Sequence, residues 1–278
     1  MVAVCVPPSS PSAQFADFAR QQALSCAFPA GVFACLAVGK AVSVPSVPRY
    51  DLVLILCVAL QWAVLQTGLE TREEARASFV FHGCGLLLEL YKVRVGSWSY
   101  PGFAYSKVAD VPLYSGFMYA SVAGYMHQAW RRLRLDLTPW PDVRWMVGVA
   151  AAVYLNFFTH HFTVDLRWVL AAAVLIVFGR SMVGFTVAGV RRRMPICLSF
   201  LLIGLFVWLA ENIATGLGAW AYPHQRGGWA LVHPSKLGSW SLLVIVTFVV
   251  VALQKRRSAG FSVVKGDNVA PALSGAQS

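Results

Sequence analysis

Two glutamates each precede a copy of the same short sequence pattern. Seven residues after each comes Gly-x-Trp-x-Tyr-Pro, so Glu89 precedes Gly96, Trp98, Tyr100 and Pro101, and Glu211 precedes Gly218, Trp220, Tyr222 and Pro223. Both glutamates fall inside apolar stretches, where a carboxylate costs about 2–3 kcal/mol or more and usually faces a partner or a wet cavity. Two interpretations are open. The pair handles protons, a cation or a developing positive charge, or each glutamate binds a loop and pins a duplicated fold.

A second group of reactive residue types lies in the segment from Tyr154 to Asp165. Asn156 and His160 are one helical turn apart, and His161 and Asp165 repeat that spacing on the next face. Histidine suits proton transfer near neutral pH, and His with Asp at this spacing can chelate a divalent metal. We predict an acid or base role for His160 and ligand contacts for Asn156 and His161. A metal site and a merely amphipathic helix end are the alternatives, and no metal is assigned.

Other candidate residues surround the two patterns. Lys92 lies on the same helix face as Glu89 and either reaches toward the interface or forms an ion pair with that carboxylate. Asn212 directly follows Glu211. The aromatic side chains either anchor the chain at an interface or line a ligand site, namely Trp98, Tyr100, Trp220 and Tyr222. Four polar residues near the second pattern could form a polar mouth: His224, Gln225, His233 and Lys236.

The composition indicates that a lipid bilayer surrounds these residues. Of 278 residues, 58% are hydrophobic and 13% charged, and the mean hydropathy is +0.61. A soluble domain normally carries about twice that share of charge. The net charge of +11 comes largely from short clusters such as Arg191 to Arg193 between apolar segments. That placement is typical of membrane topology signals, so we expect no nucleic-acid partner.

About eight transmembrane helices are predicted because roughly twenty apolar residues cross a bilayer. The spans lie near 24–44, 50–69, 78–95, 111–130, 143–163, 166–189, 195–216 and 237–254, and Arg180 falls inside the sixth. The Lys and Arg bias between loops predicts that both termini are cytoplasmic. The sequence therefore predicts an all-α polytopic membrane protein.

An internal repeat divides the chain into two halves. Glu89 and Glu211 are 122 residues apart, and at the same offset Pro112 matches Pro234 and Gly116 matches Gly238. Because four spans separate the copies, both emerge on one side of the membrane, as in parallel four-helix repeats. The predicted units are a cytoplasmic tail at 1–22, a first repeat at 23–130, a second at 131–257 and a disordered cytoplasmic tail at 258–278.

Several longer motifs resemble a bacterial membrane family known as domain of unknown function 817. The resemblance covers roughly residues 20 to 257 and rests on Gly96–Pro101, Val111–Ala120, Gln128–Arg131, Tyr154–His161, Ala210–Thr215 and Gly218–Pro223. It implies a multi-pass protein of the bacterial inner membrane and brings no established activity. A glutamate before an aromatic turn and a Val-Pro-Leu helix start is also similar to membrane carotenoid hydratases and lycopene cyclases. Those enzymes protonate isoprenoid double bonds, but their fuller acidic motifs are missing here.

Three functions are compatible with these residues. The first is an intramembrane enzyme acting on a lipid or isoprenoid, with Glu89, Glu211 and His160 as catalytic groups. The second is a proton-coupled transporter or channel with Glu89, Lys92 and Glu211 along its path. The third is a non-catalytic membrane scaffold. The sequence identifies no cofactor, because no nucleotide-binding glycine loop or metalloprotease motif is present.

Overall fold

Helices make up most of the fold. The computed structural model describes the backbone of residues 10–266 and the side chains of residues 10–257. The helices are α1 (Pro11–Ser25), α2 (Ala27–Ala41), α3 (Arg49–Gln66), α4 (Arg72–Arg94), α5 (Ser115–Arg132), α6 (Val143–Thr159), α7 (Arg167–Phe178), α8 (Ile196–Gly216) and α9 (Lys236–Gly266). The strands are β1 (Lys107–Val108), β2 (Val111–Pro112), β3 (Asp136–Thr138), β4 (Met182–Val187) and β5 (Val190–Pro195).

Three helices in the described part are long and apolar enough to cross a membrane, namely Arg49–Gln66, Ile196–Gly216 and Lys236–Arg257. A fourth span results if α1 and α2, which meet at an angle of 55°, are counted as one broken span. The prediction of a mostly helical membrane protein is therefore confirmed. We call the end that holds Gly96–Pro101 and Gly218–Pro223 the motif end, and the opposite end, which holds β3 to β5, the sheet end.

The predicted sixth span, 166–189, is wrong as a helix. Helix α7 ends at Phe178, and β4 follows after a turn in which Arg180 is exposed. Gly179 and Ser181 break the helix, and the following run contains β-branched and aromatic residues that favour strands. Ala188 and Gly189 then take positive φ values of 46° and 77°, the turn conformation that joins two adjacent antiparallel strands. Hydropathy alone does not distinguish this apolar strand from a helix.

The fold is mostly but not entirely α-helical, because a sheet lies at this end. The expectation of an all-α fold is corrected accordingly. Strand β4 pairs antiparallel with both β3 and β5. The basic cluster Arg191 to Arg193 therefore lies on a strand rather than in a loop. Helix α1 covers part of this sheet, since the Phe18 and Phe185 rings are 5.6 Å apart and the Ala188 N–H donates to Asp17 at 2.7 Å. The predicted tail 1–22 thus contains most of α1, which ends at Ser25, and α2 begins at Ala27.

Helix α7 is short compared with its neighbour. It has 12 residues and α8 has 21, so at a rise of 1.5 Å per residue α7 is about 13 Å shorter. The two helices are level at the sheet end, where the Ile196 N–H donates to the Ser181 carbonyl at 3.1 Å. The turn that precedes α7 therefore lies closer to the sheet end than the motif end of α8 does. The difference in level leaves a recess above α7, on the side of the motif end.

The predicted disordered tail at 258–278 falls outside the described side chains. Helix α9 continues to Gly266, and residues 267–278 are outside the described part of the chain.

Close helix packing provides a stability test at Gly204. A Cβ there would lie 2.7 Å from Cα and 2.8 Å from N of Ser241, so α8 and α9 approach each other through this glycine. We expect Gly204→Ala to lower the unfolding temperature in detergent, because overpacking costs roughly 1–3 kcal/mol and exceeds the roughly 1 kcal/mol gained in helix propensity. Gly83→Ala on α4 is the matched control, since a Cβ there meets nothing within 4 Å. Equal unfolding temperatures for the two variants would contradict this packing.

Candidate functional site

The two sequence patterns end their helices in the same way. Gly96 and Gly218 both have φ of +74°, a conformation that strongly favours glycine. Around each, two backbone bonds close the helix: Gly96 to Val93 and Ser97 to Lys92 in the first, Gly218 to Thr215 and Ala219 to Ala214 in the second. This is the Schellman arrangement, and it turns the chain back across the helix end. The spacing that the two patterns share therefore places each Tyr near the glutamate that precedes it.

Each glutamate accepts hydrogen bonds from the aromatic residues of the turned-back segment. Glu89 is 3% exposed and accepts from Trp98 Nε1 at 2.7 Å, Tyr100 Oη at 2.8 Å and Tyr119 Oη at 2.8 Å. Glu211 is 4% exposed and accepts from Tyr222 Oη and, at 2.6 Å, from Trp240 Nε1. Neutral groups therefore donate all the hydrogen bonds that the two carboxylates accept from side chains. No Lys or Arg forms an ion pair with either carboxylate in the described part.

The two turned-back segments pair with each other. Ser99 and Ala221 occupy equivalent places in the two patterns, and each donates its N–H to the other's carbonyl, at 3.0 and 2.9 Å. The Trp98 and Tyr222 rings meet edge to face with centroids 6.0 Å apart. Mutual bonding of equivalent residues is the geometry that a local two-fold axis produces.

The segment after α6 forms a compact turn beside these patterns. Asn156 Nδ2 donates to Asp165 at 3.3 Å, and Asn156 Oδ1 accepts from the Leu166 N–H at 3.1 Å. Arg167 closes the turn through an ion pair of 2.6 Å with Asp165. Asn156 therefore fixes the turn in front of α7, and the His160 and His161 rings lie beside it with centroids 4.1 Å apart and planes tilted by 35°.

A cavity of ≈ 230 Å³ opens between this turn and the two patterns. Polar lining comes from three cations, one carboxylate, two histidines, one amide and three serines: Lys92, Arg167, Lys236, Asp165, His160, His161, Asn156, Ser97, Ser235 and Ser239. Apolar and aromatic lining comes from Leu88, Leu242, Phe157, Trp98, Tyr222 and Trp240. The cavity occupies the recess above α7, and its walls come from both halves of the chain.

The structure brings six of the predicted site residues to this cavity, namely Lys92, Trp98, Asn156, His160, His161 and Tyr222. The other five predicted site residues do not line it. Glu89, Glu211 and Tyr100 lie behind the aromatic wall, Asn212 binds the Val232 N–H at 2.8 Å, and Trp220 packs in the core near the motif end. Of the four residues of the predicted polar mouth, only Lys236 lines the cavity.

Sequence reasoning missed Trp240, the partner of Glu211. A signal was available, because Tyr119 lies 30 residues after Glu89 and Trp240 lies 29 residues after Glu211. The role of Arg167 and of the three serines follows only from the recess above α7. No spacing in the sequence indicates the role of these four residues.

Lys92 contacts His161 rather than Glu89, so the predicted ion pair is not formed. The Lys92 Nζ and His161 Nε2 atoms are 3.0 Å apart, and Ser97 Oγ lies 3.3 Å from the same nitrogen. Burial and the positive charges of Lys92, His160 and Lys236 lower the pKa of His161 below its usual value. The pKa of Asp165 is also lowered, because hydrogen bonds from Arg167 and Asn156 outweigh the opposing effect of burial. Because an ammonium group can only donate, His161 Nε2 accepts from Lys92.

No group of three or more His, Cys, Asp or Glu side chains in the described part could hold a metal ion. The cavity therefore offers cationic and neutral donors rather than a set of metal ligands.

Comparison with known proteins identifies the family. The family model described as "Protein of unknown function (DUF817)" matches residues 14–248. The chain belongs to this family. An uncharacterized protein, YoaT of Bacillus subtilis (strain 168), is 56% identical over 243 residues, which cover 87% of this chain and 92% of YoaT. The resemblance drawn from the sequence motifs is thus confirmed.

Two solved structures overlap in part with this chain. Both are of MvINS, a mycobacterial Insig homolog from Mycobacterium vanbaalenii, one of them as a cross-linked trimer of a cysteine variant. Each is 18% identical to this DUF817 protein, with a TM-score of 0.47 over 66% of this chain and 94% or 93% of the MvINS chain. Overlap at that level assigns neither topology nor properties to this protein.

The hydrogen bonds of Glu89 lead to a test of its structural role. Glu89→Gln replaces two acceptor oxygens by one and turns an NH2 group toward buried donors, so we expect a loss of about 1–3 kcal/mol in unfolding free energy. Tyr119→Phe removes a single donor and should cost less. The measurement is the unfolding midpoint in detergent, with Glu73→Gln on the exposed face of the same helix as control. A Glu89→Gln protein as stable as wild type would remove the structural argument and favour proton handling.

Proposed function

We propose that this protein is an intramembrane enzyme that acts on a lipid or isoprenoid held in the cavity at the motif end. The cavity itself carries the proposal, because it gathers histidines, cations, hydroxyls and aromatic rings from distant parts of the chain at one place. Pockets with a few convergent polar groups in an apolar frame are typical of binding and catalytic sites. A scaffold needs no such convergent set of ionisable groups.

His160 is the group best prepared to act as a base. Its Nδ1 lies 2.8 Å from the Asn156 carbonyl oxygen, which can only accept, so Nδ1 carries the proton. Nε2 then holds the lone pair, and no hydrogen-bond partner is recorded for it among the described residues. His161 is engaged with Lys92 and Ser97 instead. Proton abstraction or return by His160 is the chemistry that this arrangement supports.

Glu89 and Glu211 are positioning residues in this proposal. Trp98 and Tyr222 line the cavity while their polar atoms donate to Glu89 and Glu211 respectively. The carboxylates hold the aromatic wall at a fixed place, which a substrate with an apolar portion requires. Proton handling by the two glutamates themselves was the first of the two interpretations of their burial. For that role, one of these hydrogen bonds would have to open.

We further infer the topology that the repeat predicts. Matching Schellman turns, matching Glu–Tyr bonds and the Ser99–Ala221 pair support two related parallel halves. Arginines at the sheet end, including Arg191 to Arg193, support an inner position for that end and cytoplasmic termini in a bacterial inner membrane. The motif end then faces outward, and α7 would be the short member of eight membrane segments, with the divisions 23–130 and 131–257.

The enzyme proposal is tested with lipid extracts. Cells that express wild-type protein should show a lipid species gained or depleted relative to empty vector. His160→Gln should reduce that change by about 10²- to 10⁴-fold in rate, the range for loss of a general base. Mass spectrometry of total extracts, at equal protein level, is the measurement.

His233→Gln is the matched control, since His233 is exposed near the same end and does not line the cavity. It should behave as wild type. If wild type alters no lipid, the enzyme proposal is wrong, and proton flux in vesicles then tests the transporter. If His160→Gln turns over normally, His160 is not the base.

A further inference from the structure

We propose that the substrate carries an acidic headgroup, a phosphate, phosphonate or carboxylate, that binds between Lys92 and Lys236. The inference rests on the proposed function and specifies its substrate class. Of the charged residues that line the cavity, Asp165 and Arg167 neutralise each other across 2.6 Å. Two ammonium groups are then left, and no ion pair within 4.0 Å is recorded for either in the described part.

Lys92 is the stronger part of the argument. Its side chain is 3% exposed, and lysine is almost never so buried unless it is paired. The ammonium group has three protons to donate, but its recorded acceptor is the single neutral nitrogen of His161. The Tyr91 and Phe157 rings add cation–π contacts, with centroids 5.9 and 5.6 Å from Nζ. An oxyanion in the adjoining cavity would supply the hydrogen-bond acceptors that the rings do not.

Lys236 reaches the same cavity from the opposite side. Its Nζ lies 5.0 Å from the Tyr222 ring centroid and 5.8 Å from that of Trp98, so the aromatic wall holds it by cation–π contacts. Glu211 is the neighbouring carboxylate, but its two oxygens accept from Tyr222 and Trp240. Lys92 and Lys236 also repel each other, and an anion between them would relieve that repulsion.

Hydroxyl and backbone donors complete the site. Ser97, Ser235 and Ser239 line the cavity, and the last two flank Lys236 at the start of α9. The N-terminus of a long helix favours an anion through its dipole and its unpaired N–H groups. This feature adds to the two ammonium groups and points in the same direction.

The size of the cavity suits a headgroup rather than a whole lipid. Its ≈ 230 Å³ is below the roughly 300–1,000 Å³ of pockets that enclose drug-sized ligands. Leu88, Phe157 and Leu242 form an apolar part of the lining, where the first carbons of a chain would lie. The acidic group would sit at the lysines and the remaining chain would extend into the bilayer.

The test uses decyl phosphate and purified protein in a neutral detergent. Wild type should bind decyl phosphate, measured by isothermal titration and by a rise in unfolding temperature, and Lys92→Met should weaken binding at least tenfold. Without ligand, Lys92→Met should be as stable as wild type or more stable, because methionine of similar length removes a buried charge. A purely structural lysine would instead lower the unfolding temperature when replaced, with no loss of affinity in the folded fraction.

Matched variants and probes separate the remaining outcomes. Lys236→Met should also weaken binding, whereas Arg94→Met, an exposed cation two residues beyond Lys92, should not. Inorganic phosphate that binds as tightly as decyl phosphate would show a soluble anion as the ligand, which overturns the lipid headgroup and keeps the anion site. Equal binding of decyl phosphate by wild type and Lys92→Met would overturn the site itself.

The same experiment distinguishes this inference from the proposed enzyme. A lipid change in cells without decyl phosphate binding would keep the enzyme and overturn the acidic headgroup. Decyl phosphate binding that depends on Lys92, without any lipid change in cells, would keep the anion site and overturn the enzyme.

Discussion

The bond from a buried glutamate to the tyrosine eleven residues later is the constraint on which the motif end depends. In both copies a glycine with positive φ ends the helix and turns the chain back, and the carboxylate then accepts from the returning Tyr100 or Tyr222. The acceptor must be a carboxylate because several donors converge on it, three in the case of Glu89. Without this bond the aromatic wall would have no fixed position, and neither would the cavity in front of it.

The constraint is shared by the two halves, but the chemistry is not. Ala214 stands where the first half has Lys92, and Val38 and Gly39 stand where the second half has His160 and His161. The cavity therefore combines Lys92 from one half with the two histidines of the other, and the His161–Lys92 contact of 3.0 Å joins them. Two matching helix-end turns that support one asymmetric site are suited to binding a single ligand in one orientation.

Sequence reasoning found residues that lie near one another in the fold where a repeated spacing or an unusual residue type carried the information. The glutamates, the aromatic positions and the Asn156–His161 segment were found in this way, and most of them lie in or directly behind the cavity. It was wrong for 166–189, because an apolar strand and an apolar helix have the same hydropathy, and of the two pairing partners of β4 only β5 is adjacent in the chain while β3 lies far away. The consequence was large, since the recess above α7 exists only because that helix is short.

The part that could not be predicted is the relation between residues distant in the chain. For Lys92 the sequence left two interpretations open, a side chain that reaches toward the interface or an ion pair with Glu89, yet Lys92 contacts His161, 69 positions later. The reason is that Glu89 is already saturated by Trp98, Tyr100 and Tyr119, which exclude the ammonium from it. Saturation of the glutamate therefore directs the lysine toward the cavity. One arrangement of hydrogen bonds both builds the wall of the site and leaves its cation without a carboxylate partner.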